Sequence, residues 1–277
     1  MNKLTELFTL NTLSENIDWQ NIVAEQQCAY IGKKCIKNRK SQSDIAIGTC
    51  TVKYGNNDII ICPHRLLENS KIFIDCIHLL ISHEPGNELH IVSEVSVPGG
   101  SIDYFLVSAK QGKVKDFVGI ELQTMDTTGT IWPERQRFLA EKGLPHEKIE
   151  NKPFGMNWKM TAKTILVQLH HKIKTFEHLN KHLVLVVQAP LLDYMQKEFA
   201  FAHISANPKI GDAMHFHSYE LNRNSNNSYS ISLFERYSTD AEGIAKCLGL
   251  QAEANVDLDV ILQILERKIS NYTLLKI

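Results

Sequence analysis

From Pro98 to Gln123 the chain reads PGGSIDYFLVSAKQGKVKDFVGIELQ. Two short apolar runs joined by a turn that contains Gly112 predict a β-hairpin. Each run carries an acid, Asp103 in the first and Glu121 in the second, where apolar residues are expected. Side chains two apart on a strand share a face, so Glu121 and Gln123 project together, and pairing across the hairpin can bring Asp103 beside Glu121.

The two hairpin acids indicate a cation site. Carboxylates in contact repel one another, so such a pair is costly unless a cation joins them. A hard divalent ion such as Mg²⁺, held by one or two carboxylates and keeping waters for a substrate phosphate, suits this arrangement. From the spacing alone, the alternative is two solvated acids on an exposed hairpin face.

Composition indicates a globular protein without membrane segments. The 277 residues, 43% hydrophobic and 22% charged, suffice for one large domain or two modest ones. The first residues lack the features of a signal peptide and no apolar run is long enough to span a membrane, so we expect a cytoplasmic protein. A formal net charge of -1 gives no overall basic footprint, so contacts with nucleic acid must come from local clusters.

Four of the six cysteines crowd into the first quarter of the chain, which favours metal ligation over disulfides in a reducing cytosol. They follow the pattern Cys-x6-Cys-x14-Cys-x11-Cys and are Cys28, Cys35, Cys50 and Cys62. Four thiolates can close a tetrahedral structural site for Zn²⁺ or a single iron ion. The spacing is not that of a zinc ribbon, and scattered buried thiols are the alternative.

The densest positive charge surrounds Cys35 and comprises Lys33, Lys34, Lys37, Arg39 and Lys40. In a nearly neutral protein, this is where contacts with phosphates are expected. A solvated basic loop is the alternative. Two further histidines, His215 and His217, share one face of an extended run, but a zinc role is disfavoured because no partner acid is identifiable.

Hydrophobic periodicity predicts the remaining elements. They are one or two short helices over residues 4–23 with Ser14 as an N-cap, a buried helix from Pro63 to about Ser82, a long helix over 159–176, a buried strand over 183–187, strands over 216–221 and 229–234, a helix opened by Ser238 and Thr239 that runs toward Cys247, and a last helix from Asp257. This order suits an α/β fold with helices flanking a mixed sheet. We divide the chain into a helical and four-cysteine region, residues 1–65, and a core, residues 66–277.

Two resemblances support this interpretation. The pattern Asp-x17-Glu-x-Gln after a Pro-Gly turn resembles the core of PD-(D/E)XK nucleases, with Gln123 where most members have lysine. More specifically, an ordered set of segments resembles the NotI-type restriction endonucleases, a PD-(D/E)XK family with an N-terminal four-cysteine iron-binding subdomain. The set comprises the four-cysteine segment, Glu94-Val95 before Pro98-Gly99, Ile102-Asp103, Gly119-Ile120-Glu121-Leu122-Gln123 and Thr127-Thr128-Gly129-Thr130.

The resemblance implies a fold and roles for individual residues. The fold is a PD-(D/E)XK nuclease-like mixed sheet with a small N-terminal four-cysteine metal-binding subdomain. Asp103, Glu121 and Gln123 become the catalytic positions, with Glu94 as a fourth. The four cysteines become ligands of iron or zinc, with Cys76 as a competitor for one ligand position.

The implied function is that of a type II-like, Mg²⁺-dependent endonuclease that cuts double-stranded DNA at a palindromic site. Asp103, Glu121 and the backbone carbonyl of Leu122 would hold the catalytic metal. A homodimer with one active site per strand is the simplest way to cut both strands. The alternatives are a structure-directed repair or phage DNA-processing nuclease and a non-catalytic, metal-stabilised DNA-binding module.

Overall fold

The computed structural model describes residues 3–39, 41–225 and 227–250. These residues form six α-helices, three 3-10 helices and sixteen strands, several of them only two residues long. In chain order they are β1 (Leu4–Leu7), β2 (Leu10–Asn11), α1 (Trp19–Glu25), β3 (Gln27–Cys28), β4 (Lys33–Lys34), β5 (Asn38–Arg39), β6 (Gln42–Ala46), β7 (Thr49–Tyr54), β8 (Asn57–Ile60), a 3-10 helix (Pro63–Ser70), α2 (Lys71–Ile74), a 3-10 helix (Ile77–Leu79), β9 (Glu88–Val97), β10 (Gly100–Lys110), β11 (Lys113–Gln123), β12 (Thr127–Thr128), α3 (Trp132–Glu141), β13 (Gly155–Met156), α4 (Trp158–His178), β14 (His182–Gln188), α5 (Ala189–Glu198), a 3-10 helix (Phe201–His203), β15 (Met214–Arg223), β16 (Tyr229–Thr239) and α6 (Ala241–Cys247).

A six-stranded mixed sheet organises the fold, in the order β16-β15-β14-β11-β10-β9. The neighbours β11, β14 and β15 run parallel, and the outer pairs run antiparallel. All seven residues of β14 are buried, as expected of a central strand covered on both faces. The predicted hairpin, the strand over 183–187 and the two strands around the polar turn after residue 221 are confirmed, and so is the mixed α/β class.

Helix α4 covers one face of the large sheet. Its buried residues Leu169, Ile173 and Phe176 pack with Leu183 and Leu185 of β14 in the larger of two hydrophobic clusters. The predicted long helix is confirmed with ends at Trp158 and His178. On the opposite face of β14, Val184 and Val186 belong to the second cluster, together with buried apolar residues between positions 63 and 80. The large sheet therefore lies between two apolar layers.

A smaller four-stranded sheet, β2-β1-β7-β8, lies near the start of the chain, and the helix predicted around residues 4–8 is wrong. Leu4 and Leu7 pair with β7, and Phe8 turns the chain with a left-handed φ of 47°. The spacing of these apolar residues suits a helix equally well, and tertiary pairing decides the outcome. The first helix, α1, is capped by Asp18, whose carboxylate accepts from Asn21 N, and not by Ser14.

Two other predicted helices differ from the structure. The segment predicted as one helix from Pro63 to about Ser82 is broken into short helices, because Asn69 and Ser70 have left-handed φ angles of 51° and 56°. Ser238 and Thr239 end β16 and do not open a helix. Helix α6 begins after Asp240, whose carboxylate caps Gly243 N.

Two helices of the structure were not predicted, and one predicted helix falls outside the residues that the structure describes. Helices α3 and α5 were missed, although each has a proline in its first turn. The last predicted helix, from Asp257, lies outside the described residues. The division of the chain near residue 65 stays a prediction. Among the residues that the structure describes, none of the helices has the length and apolar character needed to cross a membrane.

Candidate active site

Three acids form a row across the neighbouring strands β9, β10 and β11. In the register of β9 with β10, Glu94 falls opposite Asp103. In the register of β10 with β11, the position that follows the Tyr104–Ile120 pair brings Asp103 level with Glu121. Burial raises the pKa of both Asp103 and Glu121, and a neighbouring charge adds to each rise, that of Glu94 for Asp103 and that of Asp103 for Glu121. The structure thus brings together three of the four predicted catalytic side chains.

Asp103 is fixed by the backbone of the neighbouring strand. The regular ladder between β10 and β11 ends at Tyr104 and Ile120. Beyond this point the Leu122 N–H donates to Asp103 Oδ2 at 2.8 Å. Burial raises the pKa of Asp103, and this amide hydrogen bond opposes the rise. A carboxylate with one oxygen held by an amide is oriented before any ligand arrives.

Glu121 is the most buried acid of the row, with 4% of its surface exposed. Its Oε1 lies 2.6 Å from Nζ of Lys172, which comes from helix α4. Burial raises the pKa of Glu121 to about 7, the nearby charge of Asp103 adds to the rise, and Lys172 opposes it. A carboxyl group of this kind is costly to ionise and gains from any cation that can approach it.

Glu94, at one end of the row, and Gln123, two residues beyond Glu121 on β11, differ in environment. Glu94 is exposed and has a left-handed φ of 56° within β9. Such a backbone costs on the order of 1–3 kcal/mol in a residue other than glycine, and strain of this kind clusters at functional sites. Gln123 is half-buried, and its Nε2 donates to the Thr124 carbonyl at 2.6 Å. Its amide nitrogen therefore already has an acceptor in the next residue of the chain.

Lys172 is a residue of this site that the sequence analysis missed. A signal was available, because the residue is three positions after Leu169 and four before Phe176, both on the apolar face of the long helix. A lysine on a buried helix face needs a partner for its charge. Only 5% of Lys172 is exposed, and its ammonium contacts Glu121 and the Ser101 carbonyl.

The four predicted ligand cysteines are all buried, each with 8% or less of its surface exposed. Burial raises the pKa of Cys28, Cys50 and Cys62, and neighbouring thiols contribute to each rise. The charge of Cys35 acts on Cys28 and on Cys62, and the charges of Cys62 and Cys28 act on Cys50, so the four sulfur atoms share one electrostatic neighbourhood. Cys76 instead has its Sγ 3.7 Å from Nδ1 of His217.

Within residues 3–39, 41–225 and 227–250, no three acidic, histidine or cysteine side chains stand in a grouping that could hold a metal ion. Buried His217 and His215 have lowered pKa values, chiefly because of burial. Both the catalytic and the four-cysteine metal sites remain predictions.

The basic cluster is partly tied to other protein groups. Lys37 donates to the Ile61 carbonyl at 2.9 Å. Arg39 forms an ion pair of 2.7 Å with Glu147. Lys33 and Lys34 are exposed on β4. The remaining member of the predicted set, residue 40, lies outside the described residues, so the DNA-binding role of this cluster stays a prediction.

The fold and the site define a class: a mixed α/β protein that carries a row of acids on adjacent strands of its sheet. The family model described as restriction endonuclease NotI matches residues 20–226, which is most of the chain, and the chain therefore belongs to that family. Membership indicates a site-specific restriction endonuclease, a deoxyribonuclease that has DNA as its substrate. No curated protein and no solved structure matches the chain.

Proposed function

We propose that the chain is a Mg²⁺-dependent, type II-like endonuclease that hydrolyses both strands of DNA at a palindromic site. The observation that carries this proposal is the row formed by Glu94, Asp103 and Glu121 on three adjacent strands. A protein that only binds DNA has no need of clustered acids, because they repel phosphates. The cytoplasm is the proposed compartment.

The donor set of this row fits a hard divalent cation. Carboxylate oxygens are the ligands that Mg²⁺ prefers, and the raised pKa values of Asp103 and Glu121 reflect crowded acids in a buried place. In the proposed site, Asp103, Glu121 and the Leu122 carbonyl would hold the ion. When bound, Mg²⁺ would neutralise charge on the scissile phosphate and lower the pKa of an attacking water.

The protein groups of the site have separate tasks in this proposal. The Leu122 amide fixes Asp103, and Lys172 fixes Glu121, so both carboxylates are preorganised. Gln123 is neutral and cannot serve as a base, so we assign it the orientation of the attacking water through its amide oxygen, since its amide nitrogen donates to Thr124. Glu94 extends the negative row toward solvent.

The four cysteines are proposed to bind one structural iron or zinc ion. Their common burial and the mutual effect of their charges support this proposal. Thiolates suit both metals, and the positive charge of the bound ion would compensate the cost of burying the deprotonated sulfur atoms. Elemental analysis of the purified protein decides between iron and zinc, and a protein free of both metals contradicts the proposal.

Two further parts of the proposal concern the partners. Lys33 and Lys34 lie exposed and are proposed to contact DNA phosphates, together with Lys37, Arg39 and Lys40. A palindromic target matches a two-fold homodimer with one site per strand. Light scattering of the protein with and without a cleaved site tests the dimer, and a monomer under both conditions contradicts it.

The decisive experiment is cleavage of a large, sequenced phage DNA with Mg²⁺ and with EDTA. We expect discrete fragments that require Mg²⁺ and disappear with Asp103→Ala or Glu121→Ala, while both variants still retard DNA. A smear would instead indicate a structure-directed repair or phage-processing nuclease. Intact but retarded DNA under all conditions would indicate a binding module. Normal cutting by both variants would overturn the assignment of the site.

A further inference from the structure

A buried ammonium group lies at the centre of the proposed active site. Nζ of Lys172 is 2.6 Å from Glu121 Oε1 and 2.6 Å from the Ser101 carbonyl. The lysine comes from helix α4, 51 residues beyond Glu121 in the sequence. It therefore joins the helix to both strands of the hairpin at the level of the acids.

The backbone at the start of β10 is shaped to admit this lysine. Gly99 and Gly100 have φ angles of 96° and 137°, a region that favours glycine. A Cβ atom on Gly99 would clash with the His171 carbonyl, and one on Gly100 would lie 3.0 Å from Lys172 Cε. The absence of both side chains allows helix α4 to approach closely enough for the ammonium group to reach Glu121.

On β11 itself, Gln123 does not supply a positive charge like that of the Lys172 ammonium group. Gln123 is neutral, and its amide nitrogen already donates to Thr124. Three acids in a row repel each other, and Lys172 is a cation that the structure places in contact with one of them. A charged hydrogen bond of this length also restricts the rotation of a carboxylate.

We propose that Lys172 is a positioning residue of the cleavage reaction and that it supplies, from helix α4, the positive charge that Gln123 does not provide. It holds Glu121 Oε1 and thereby keeps the carboxylate aligned with Asp103 when DNA and cation arrive. This inference rests on the proposed nuclease function. It adds to the site a residue that lies outside the sequence motif.

The test compares Lys172→Met with a matched control, Lys181→Met. Lys181 also forms a lysine–carboxylate pair, with an N–O distance of 2.6 Å to Asp116. Asp116 lies on β11, the strand that carries Glu121, but near its opposite end. Both variants lose a charged hydrogen bond to a buried acid, but only Lys172 contacts the proposed site. Single-turnover cleavage of a duplex that carries the mapped site is measured with Mg²⁺, and DNA affinity is measured with Ca²⁺.

We expect Lys172→Met to lower the single-turnover rate by about 100-fold or more while DNA affinity stays within about threefold. Lys181→Met should stay within about threefold of the wild type in both quantities. A Lys172→Met enzyme that cuts at the wild-type rate would overturn the inference. An equal loss of rate in both variants would also overturn it, since loss of stability would then explain the effect.

A double variant keeps the proposal testable if Lys172→Met fails to fold. Gln123→Lys with Lys172→Met returns one positive charge to the acids from the strand side. The proposal is supported if the folded double variant cleaves DNA at least about tenfold faster than Lys172→Met, or at a measurable rate where Lys172→Met shows none. If Gln123→Lys alone still cuts, a folded double variant that is inactive contradicts the proposal, because a merely structural contact between α4 and Ser101 would not be repaired by a lysine on β11.

Failure of this inference can be distinguished from failure of the proposed function. If the wild-type protein cuts no DNA, the nuclease function fails. If the wild type cuts, Asp103→Ala does not, and Lys172→Met cuts normally, then only the role of Lys172 fails.

Discussion

Replacing Glu121 by glutamine should change how the free energy of unfolding depends on pH. Burial raises the pKa of this carboxyl from its ordinary value of 4.5 to about 7 in the folded protein. Between these two values the folded chain holds a proton that the unfolded chain has lost, so stability falls as the pH rises through this window. Below the window the group is protonated in both states and costs nothing.

The size of the effect follows from the two pKa values. One pKa unit corresponds to about 1.4 kcal/mol. A rise from 4.5 to about 7 therefore corresponds to a loss of about 3 kcal/mol of stability once Glu121 is ionised in both states. Glutamine carries no charge and avoids this loss. It leaves Lys172 without its anion, which adds an offset to the stability of the variant.

The assay is urea unfolding of metal-free wild type and Glu121→Gln at a series of pH values, read as the difference between the two free energies. The wild-type curve alone is not sufficient, because burial lowers the pKa of His215 to about 4. A buried neutral histidine adds stability as the pH rises from about 4 to 6.5, which opposes the effect of Glu121. This contribution is common to both proteins and cancels in the difference.

We expect the stability of Glu121→Gln relative to the wild type to increase by about 3 kcal/mol between pH 4.5 and about 7. Asp116→Asn is the matched control on the same strand. Burial of Asp116 opposes ionisation, but hydrogen bonds from Lys181, Ser82 N and Phe117 N outweigh it and lower the pKa below 3.8. Its stabilising effect is lost only as the pH falls through that lowered pKa, so the control difference should be flat above about pH 5. A flat difference for Glu121→Gln would refute the reasoning.

Three further outcomes are expected. Gly119→Ala should lower the free energy of unfolding by about 1–3 kcal/mol, because the new Cβ would lie 2.5 Å from Phe176 Cζ, and an unchanged thermal unfolding curve would contradict this packing. His215→Gln should weaken the loss of stability that the wild type shows as the pH falls from 6.5 toward about 4, and an identical acid limb in urea unfolding would contradict the buried neutral state of His215. Cys62→Ser should reduce the iron or zinc bound per chain and lower the unfolding temperature, and full metal content in this variant would remove Cys62 from the proposed ligand set.

The hairpin was predictable because its signals are local. Alternating apolar residues, a glycine turn and acids at inward positions all lie within residues 98–123, and the observed register places Asp103 and Glu121 side by side as expected. The position of Glu94 depends on which strand pairs with β10. The sequence contains the residue, but only the β9–β10 register shows that it lies opposite Asp103.

The secondary-structure predictions were wrong where tertiary strand pairing or individual backbone angles decide the structure. Leu4 and Leu7 suit a helix or a strand, and the availability of β7 as a partner selects the strand. Residues 63–82 have the apolar content of one buried helix, but Asn69 and Ser70 turn left-handed and divide it. Asparagine tolerates this conformation, yet its presence in the sequence does not require it.

Lys172 shows why motif spacing alone describes the candidate site incompletely. Spacing along one strand places Gln123 where most PD-(D/E)XK nucleases, which the pattern resembles, have lysine, and it suggests a site without a cation of its own. Electrostatic compensation depends on distance in space, and helix α4 can satisfy it because Gly99 and Gly100 allow a close approach. In our proposal the residues at positions 123 and 172 are coupled: the strand can carry a neutral glutamine because the helix carries the charge. The exchange of lysine between positions 123 and 172 tests this coupling directly, since a cation on either element should align Glu121.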